Sequence, residues 1–413
     1  MGGIVYWQGL VWILTVACVL MSASYTMLIP FLPMYLIEEL GVQASEVNMW
    51  SGVIFSASFI VSAVMAPIWG AIADKKSHKM MALRASFCLA ISYALGAIVT
   101  TPWELFWMRC FQGFSAGLWP ACLAIMTATA PREKMGWCLG IMQGGMTAGG
   151  VLGPFLGGLL AESFGMRMSF WIAAIGLGII ACMILFYVKD PVSHKEAKEK
   201  AAKNKKSGGA MELLKIPVIQ RMLFAAGVVQ LSVMIVQPIL PLYIAELQGS
   251  MENIVMVSGI VFSVVGISGV VASPLWGRIG GNIGFRWALY AALFGTGIFG
   301  IVQAIPDTIT FFVVWRFVGG LFIAGVFPAI NALLAENTEP NQRGRVFGLS
   351  YTAQQIGSVI GPVLGGAMAT CATNAMVVAS HGVVLLALVA MLYLLRPKIE
   401  KHGTGINVAD THK

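Results

Sequence analysis

Two arginines are the residues of this sequence best placed to do chemistry, because they lie well inside long apolar stretches. Arg109 occurs in "FWMRCFQGFSAG" and Arg316 in "VVWRFVGGLFIAG", and no other charged residue is expected so deep in an apolar segment. Glu38 and Glu246 each follow a tyrosine by three residues, at the ends of two further apolar stretches. If these stretches cross a membrane, an ionisable residue inside one is a functional-site hypothesis by default.

These four residues suggest a proton-coupling device. We predict that Arg109 faces Glu38 and that Arg316 faces Glu246, at similar depth. A proton bound by either glutamate would weaken its attraction to the arginine and bias the conformation. The alternative is that both glutamates are hydrated loop acids and both arginines bond to backbone carbonyls.

The composition places the apolar stretches in lipid. Hydrophobic residues make up 58% of the 413 residues and charged residues only 11%, whereas soluble domains carry about 25% charged residues. About twelve apolar segments, from 9–37 to 375–396, are each long enough for the roughly 20 residues of a membrane-crossing helix. The sequence therefore predicts an all-α polytopic membrane protein with twelve transmembrane helices.

The basic residues are confined to one set of loops. Loops after even-numbered segments are basic, with Arg132, Arg278 and Arg343 among their residues. Loops after odd-numbered segments are acidic and have Arg167 as their only basic residue. The positive-inside rule then places both termini in the cytoplasm. The net charge of +8 is thus a topology signal, and we expect a plasma-membrane protein (inner membrane in a bacterium) that does not bind nucleic acid.

The chain is an internal duplication. "MWSGVIFSASFIVSAVMAPIWG" at 49–70 aligns with "MVSGIVFSVVGISGVVASPLWG" at 256–277, and "GGVLGPFLGG" at 149–158 aligns with "GSVIGPVLGG" at 357–366. We therefore predict two pseudo-symmetric six-helix bundles, which is how many secondary transporters are built. The predicted units are an N-terminal bundle at 1–188, a basic cytoplasmic linker at 189–218, a C-terminal bundle at 219–396 and a cytoplasmic tail at 397–413.

The fifth segment is unusually rich in glycine, and part of its pattern recurs in the eleventh. Small residues let helix backbones approach closely in lipid, and a proline kinks a helix. We predict that this face packs against a span of the other half and seals the protein as the halves rock; the alternative is tight packing without motion. The residues are Gly140, Gly149, Gly153, Pro154, Gly157 and Gly158, with the copies Gly357, Gly361, Pro362 and Gly365.

Amides, aromatic residues and methionines occur together on several of the predicted spans. Each amide taken singly is more often a tie between helices, but together such groups suit bulky lipophilic ligands, including cationic ones. The residues predicted to line a substrate cavity are Tyr25, Phe31, Gln112, Trp119, Gln143, Met146, Gln230, Gln237, Phe327, Asn331 and Gln354.

The motifs resemble the major facilitator superfamily, in particular its twelve-span drug:proton antiporters and their MdtG-like multidrug-resistance group. The resemblance rests on "GAIADKKSHK" at 70–79, "RCFQG" at 109–113, the complete glycine signature of the fifth span and "IPFLP" at 29–33. It implies the major facilitator fold and export rather than uptake. It also implies a role for Arg109 in proton coupling and a cytoplasmic latch between the halves. The latch residues would be Asp74, Lys75 and Lys79.

The leading interpretation is a proton-coupled antiporter that exports lipophilic drugs or toxic compounds. The alternatives are a dedicated exporter or importer of one metabolite, such as a sugar or amino-acid derivative, and a non-transporting membrane sensor or scaffold. An enzyme is not expected, because Gly-x-Ser-x-Gly, His-Glu-x-x-His and phosphate-loop patterns are missing from the sequence. We expect no cofactor and no metal, with the proton gradient as energy source. The expected partners are small substrates, protons and membrane lipids, and the expected functional unit is a monomer.

Overall fold

The computed structural model describes residues 2–73, 77–131, 134–189, 213–339 and 342–395. These residues form twelve spans, numbered in chain order, of which spans 1, 4 and 7 are broken. The spans of the first half are Gly2–Met27 with Leu32–Met34 and the π-helical Tyr35–Glu39, Val47–Ala73, His78–Ile98, Pro102–Phe114 with Leu118–Thr129, Met135–Phe164 and Met166–Tyr187. The spans of the second half are Pro217–Val236 with Leu240–Gln248, Ile254–Ile283, Phe285–Val302, Ile309–Glu336, Arg343–Cys371 and Asn374–Leu394.

Twelve membrane-crossing helices agree with the prediction from the sequence. Within the described part of the chain, eleven spans are both long enough and apolar enough to cross a membrane. The exception is span 11, which has 29 residues and is long enough. Its first half contains several polar side chains, which lower its hydropathy. These are Ser350, Thr352, Gln354, Gln355 and Ser358.

Each half packs in the same way. Span 1 packs on span 5 and span 3 on span 6, and in the second half span 7 packs on span 11 and span 9 on span 12. The main contacts between the halves join span 2 to span 11 and span 5 to span 8. The linker predicted at 189–218 lies largely outside the described residues, so the unit boundaries stay a prediction. Below, the termini side is the membrane face where span 1 begins and span 12 ends, and the seal side is the opposite face.

Span 4 breaks within the membrane, and a third arginine holds the break. The first helical piece ends at Phe114, and Gly117 adopts a φ of +118° that side chains rarely tolerate. The carbonyl of Phe114 accepts from the indole of Trp69 at 2.8 Å and from Arg84 at 3.2 Å. Arg84 also donates to the carbonyl of Ala116 at 2.7 Å. The expectation that only two arginines lie inside apolar segments is therefore wrong, because Arg84 supplies donors that a broken helix needs.

Candidate transport site and the seal between the halves

Arg109 belongs to a polar chain in the core of the first half, where it is 2% exposed. Its guanidinium donates to the side-chain oxygen of Gln112 at 2.6 Å and to the carbonyl of Ile54 at 3.5 Å. Gln112 donates to the hydroxyl of Tyr93 at 2.9 Å, and Tyr93 donates to the carbonyl of Ser24. Because residues three apart share a helix face, the Arg-x-x-Gln spacing lets span 4 bond to spans 2 and 3 at once, and Tyr93 continues the chain from span 3 to span 1.

Arg109 also faces the region where the two halves meet. Tyr25 of span 1 lies close enough to Arg109 and to Tyr351 of span 11 for both side chains to act on it electrostatically. The Arg109 guanidinium lies 5.3 Å from the centre of the Phe55 ring, which is a cation–π distance. The surroundings of Arg109 are therefore aromatic and neutral, and Tyr25 lies between Arg109 and a residue of the opposite half.

Arg316 has a different partner from Arg109, although the two positions are equivalent in the repeat. It donates to the side-chain oxygen of Gln303, on span 9, at 3.0 Å. Gly319, three residues after Arg316, occupies the position that Gln112 holds in the first half. A methyl group added at Gly319 would lie 3.0 Å from the Gln303 amide nitrogen. The second half thus takes its amide from a neighbouring helix, and a glycine makes room for it.

The predicted pairing of the arginines with Glu38 and Glu246 is wrong. Glu38 is exposed, and the neighbouring Glu39 forms the ion pair, with Arg167 at 2.6 Å. Glu246 accepts from the amide of Asn374 at 2.6 Å. Both glutamates lie at the seal-side ends of their spans, where water and polar loop groups are available, while the arginines lie deeper and bond to neutral groups. A role for any of the four in proton coupling stays a prediction.

Three glycines of the span 5 stripe and their three copies in span 11 pack inside their own half, so for these six positions the prediction that the stripe meets the other half is wrong. A methyl group added at any of three glycines of span 5 would clash with the backbone of span 1, and their copies in span 11 pack on span 7 in the same way. Positions four apart lie on one helix face, and that face is turned toward the partner span of the same bundle. The residues are Gly149, Gly153 and Gly157, with the copies Gly357, Gly361 and Gly365.

The adjacent face of span 5 makes the contact with the other half. A methyl group added at Gly259 of span 8 would clash with the carbonyl of Pro154, and one at Gly158 would lie 2.9 Å from the span 8 backbone. The hydroxyl of Ser263, also on span 8, donates to the carbonyl of Val151 at 2.6 Å. Pro154 and Gly158 are therefore the members of the signature that touch the opposite half.

The same three contacts recur at the second meeting point of the halves. A methyl group at Gly52 of span 2 would clash with the carbonyl of Pro362, and one at Gly366 would clash with the span 2 backbone. The hydroxyl of Ser56 donates to the carbonyl of Val359 at 2.7 Å. We call the two sets together the seal. The seal lies at the membrane face where spans 2 and 8 begin. Spans 5 and 11 end at the same face.

The halves separate toward the termini side. Methyl groups added at Gly144 on span 5, Gly277 on span 8 or Gly348 on span 11 would meet nothing within 4 Å outside their own helices. Gly140, the first glycine of the signature, has the same open surroundings. On the termini side these positions of spans 5, 8 and 11 therefore make no close contact with the other half, in contrast to the seal side.

The residues predicted to line a cavity divide into two groups. Phe31 and Gln112 are fully buried within the first half, where Phe31 packs edge-on against Phe170 at 5.8 Å, so their placement in an open cavity is wrong. The break in span 1 turns Phe31 into its own bundle, and Arg109 holds Gln112. The others are partly or largely exposed, and their role stays a prediction. They are Tyr25, Trp119, Gln143, Met146, Gln230, Gln237, Phe327, Asn331 and Gln354.

The predicted latch is described only in part. Asp74 and Lys75 lie outside the described residues. Lys79 donates to the carbonyl of Leu185 at 2.8 Å, and both residues belong to the first half. In this conformation Lys79 therefore ties span 3 to span 6 rather than one half to the other.

Sequence reasoning missed several residues of the site. Tyr93 and Gln303 became partners only through the fold, since no motif connects them to their arginines. Ser56 and Ser263 were detectable, because they occupy the same place in the repeated segments at 49–70 and 256–277. A polar residue repeated in both halves is a signal for a contact that both halves make.

Two pseudo-symmetric bundles, joined at paired helix contacts and with arginines inside the membrane, define a membrane transporter of the two-bundle class. The sequence profile of the Major Facilitator Superfamily matches residues 14–271 and 222–407. The chain belongs to that superfamily. It is an integral membrane protein and a transporter, not an enzyme.

Curated relatives agree over most of the chain. The multidrug resistance protein MdtG of Rahnella sp. (strain Y9602) is 34% identical over 367 residues, which cover 88% of this chain and 87% of that protein. MdtG of Citrobacter koseri is 35% identical over 381 residues, covering 90% of this chain and 92% of that protein. The resemblance to the MdtG-like group is therefore confirmed.

Solved structures share the fold. A point mutant of the nucleoside transporter NupG has a TM-score of 0.79 and 16% identity, covering 94% of this chain and 100% of that chain. A bacterial homologue of the human lysosomal transporter Spinster, in an inward-facing and occupied conformation, also has a TM-score of 0.79, with 14% identity and coverage of 94% and 96%. The predicted major facilitator fold is confirmed.

Proposed function

We propose that this protein is a proton-coupled antiporter that exports lipophilic compounds, including cationic ones, by alternating access. Substrate enters between the halves from the termini side, which the basic loops place in the cytoplasm. The seal then opens as the opposite side closes, and substrate leaves. The proton gradient supplies the energy, no cofactor takes part, and one chain is the functional unit.

The observation that carries this proposal is the seal itself. Its two sets of contacts are related by the internal repeat, Gly259 to Pro154 and Gly52 to Pro362. Equivalent contacts on both sides of a central axis let one bundle rock against the other as a rigid body, which is the motion expected of such repeats. The names of the MdtG relatives support multidrug compounds as the substrate class.

Arg109 is the residue to which we assign proton coupling in the first half. It is buried among neutral partners, and no ion pair holds it among the described residues. A buried cation without an acid responds strongly to any charge that enters nearby, because the surrounding dielectric is low. Binding of a substrate or a proton next to Arg109 therefore changes the free energy of the conformation that holds it.

A dedicated carrier of one metabolite is the second candidate. Gln143 and Asn331 are exposed amides on inner spans, and such groups suit a substrate that forms directional hydrogen bonds. A single accepted chemotype in a transport assay would favour this candidate. A protein that moves no compound at all would favour the sensor or scaffold.

The test is dye efflux from vesicles that contain the purified protein. Dissimilar lipophilic dyes are followed with and without a proton gradient. We expect gradient-dependent transport of several dyes, with at least a tenfold loss in Arg109→Gln. Arg278→Gln, at the exposed termini-side end of span 8, is the matched control and should transport normally. Dye efflux that is independent of the proton gradient, or full transport activity of the Arg109→Gln variant, would reject the proposal.

A further inference from the structure

A small cleft opens at the termini side of the second half, away from the seal. It lies where spans 7 and 9 begin and where spans 10 and 12 end, and it has about 30 Å³ of space for water-sized groups. Drug-sized ligands need about 300–1,000 Å³, so the cleft does not fit a transported lipophilic compound. The lining residues are Val218, Arg221, Met222, Arg286, Leu289, Tyr290, Leu333 and Leu392.

Two arginines from different spans converge on this cleft. Arg221 comes from the second turn of span 7 and Arg286 from the first turn of span 9. Within the described part of the chain, neither forms an ion pair, and the exposed Glu336 at the end of span 10 is not within 4 Å of either guanidinium. The cleft therefore presents two positive charges that the described residues do not neutralise.

The internal repeat explains why Arg286 can serve a ligand. Its counterpart in the first half is Lys79, which donates to the carbonyl of Leu185 on span 6 at 2.8 Å. In the second half the carbonyl of Leu392 on span 12, which aligns with Ile184 next to Leu185, accepts from the hydroxyl of Tyr290 at 3.1 Å. Tyr290 therefore ties span 9 to span 12, much as Lys79 ties span 3 to span 6, and Arg286 forms no such bond within the described part of the chain.

Arg221 also has no counterpart in the first half. The repeat aligns it with Ile13, an apolar residue. An arginine this near the end of a span can extend to the headgroup level, so Arg221 adds a positive charge at this membrane surface in the second half only.

The surroundings of the cleft fit a lipid. Tyr290 packs against Trp287 at 5.8 Å and against Tyr393 at 6.2 Å. Trp287 is 53% exposed and Tyr393 42% exposed, as is typical of aromatic residues at the headgroup level. Basic pockets between helices on the cytoplasmic side are suited to anionic lipid headgroups.

We propose that Arg221 and Arg286 bind the phosphate group of an anionic phospholipid on the termini side. The headgroup phosphate sits between the two guanidinium groups, which provide charge-assisted donors. The acyl chains run along the lipid-facing surface beside Trp287. The site is separate from the transport pathway and holds whether or not the protein exports drugs.

Native mass spectrometry of the purified, delipidated full chain tests the site with phosphatidylglycerol as the probe. We expect the Arg221→Gln/Arg286→Gln variant to bind it about thirtyfold more weakly, since each arginine near an anionic surface contributes roughly fivefold. Arg278→Gln, on the same membrane face but outside the cleft, should bind like the wild type. If the double variant does not fold, Arg286→Gln alone should show the fivefold loss, because that side chain is exposed.

Two further arms identify the ligand. Phosphatidylcholine should bind at this site at least tenfold more weakly than phosphatidylglycerol, and inorganic phosphate should not compete at millimolar concentration. Equal binding of phosphatidylglycerol by wild type and both cleft variants would overturn the proposal. Competition by inorganic phosphate would overturn it in favour of a free-anion site.

Discussion

The hydroxyl of Ser263 on span 8 donates to the carbonyl of Val151 on span 5 at 2.6 Å, across the boundary between the two halves. Ser56 on span 2 donates to Val359 on span 11 at 2.7 Å in the equivalent place. Each acceptor lies three residues before the proline of its span, next to the carbonyl that the missing proline N–H leaves without its helix donor. These two bonds fix the closed face of the protein at both meeting points of the bundles.

Removing both hydroxyls should weaken the seal without unfolding either bundle. Interhelical hydrogen bonds in membranes are worth about 0.6 kcal/mol each, so the Ser56→Ala/Ser263→Ala variant should shift the population toward the seal-open state about eightfold. Accessibility of a cysteine placed at the seal to a membrane-impermeant reagent measures this. Ser273→Ala is the control, because the Ser273 hydroxyl bonds within its own helix, to Gly269 at 2.7 Å. An unchanged labelling rate in the double variant would show that the hydroxyls do not hold the seal.

A large side chain at the helix crossing should block closure. Gly259→Leu places a side chain against the Pro154 carbonyl, so we expect normal membrane insertion and at least a tenfold loss of efflux. Gly269→Leu on the same span is the control, because a methyl group there meets nothing within 4 Å. Efflux is measured in vesicles with a proton gradient. Equal activity of the two variants would mean that the crossing does not need to close during transport.

Substitution in the glycine stripe should damage folding, not only transport. Gly153→Leu forces a side chain into the backbone of span 1 within the same bundle, and overpacking of this kind costs about 1–3 kcal/mol or more. We expect a lower melting temperature and a lower yield of monodisperse protein, with Gly144→Leu as the unaffected control on the same span. A normal melting temperature together with lost efflux would instead favour a stripe that moves during transport.

The amide of Gln112 should be essential for holding Arg109. Gln112→Leu leaves a buried guanidinium without its 2.6 Å partner, and an unsatisfied buried charged group costs more than about 1–3 kcal/mol. We expect at least a tenfold drop in proton-coupled efflux, measured as the initial rate. Gln112→Glu is the informative comparison, because it keeps the acceptor and adds a negative charge that should alter the pH profile. Wild-type rates and pH profiles in both variants would remove Gln112 from the mechanism.

The fold was predictable because lipid imposes simple rules. Twelve apolar stretches and a repeated sequence are read directly from residue order, and both agreed with the structure. Arg109 stood out for the same reason, as a charge in an apolar segment. The breaks at the proline pairs of spans 1 and 7 follow equally from local chemistry.

Contacts between helices were not predictable in the same way. The glycine stripe indicated close packing, but a stripe does not identify the helix that it faces. Only the three-dimensional structure shows that its partner is span 1. The predicted arginine partners were wrong because the two glutamates lie at the seal-side ends of their spans, whereas the arginines lie deeper and bond to neutral groups. Gln303 shows the same limit, since it takes the place of Gln112 from another helix.

The central claim is that the seal opens during transport, and a distance across it tests that claim directly. Spin labels at Glu46→Cys and Thr370→Cys, both exposed on the seal side, report the separation of spans 2 and 11 once the exposed Cys182 and Cys371 are replaced by serine. Double electron–electron resonance in vesicles should give a short distance at rest and a second, longer distance when a proton gradient and a transported dye are both present. A single unchanged distance while the same labelled protein transports the dye would contradict the mechanism.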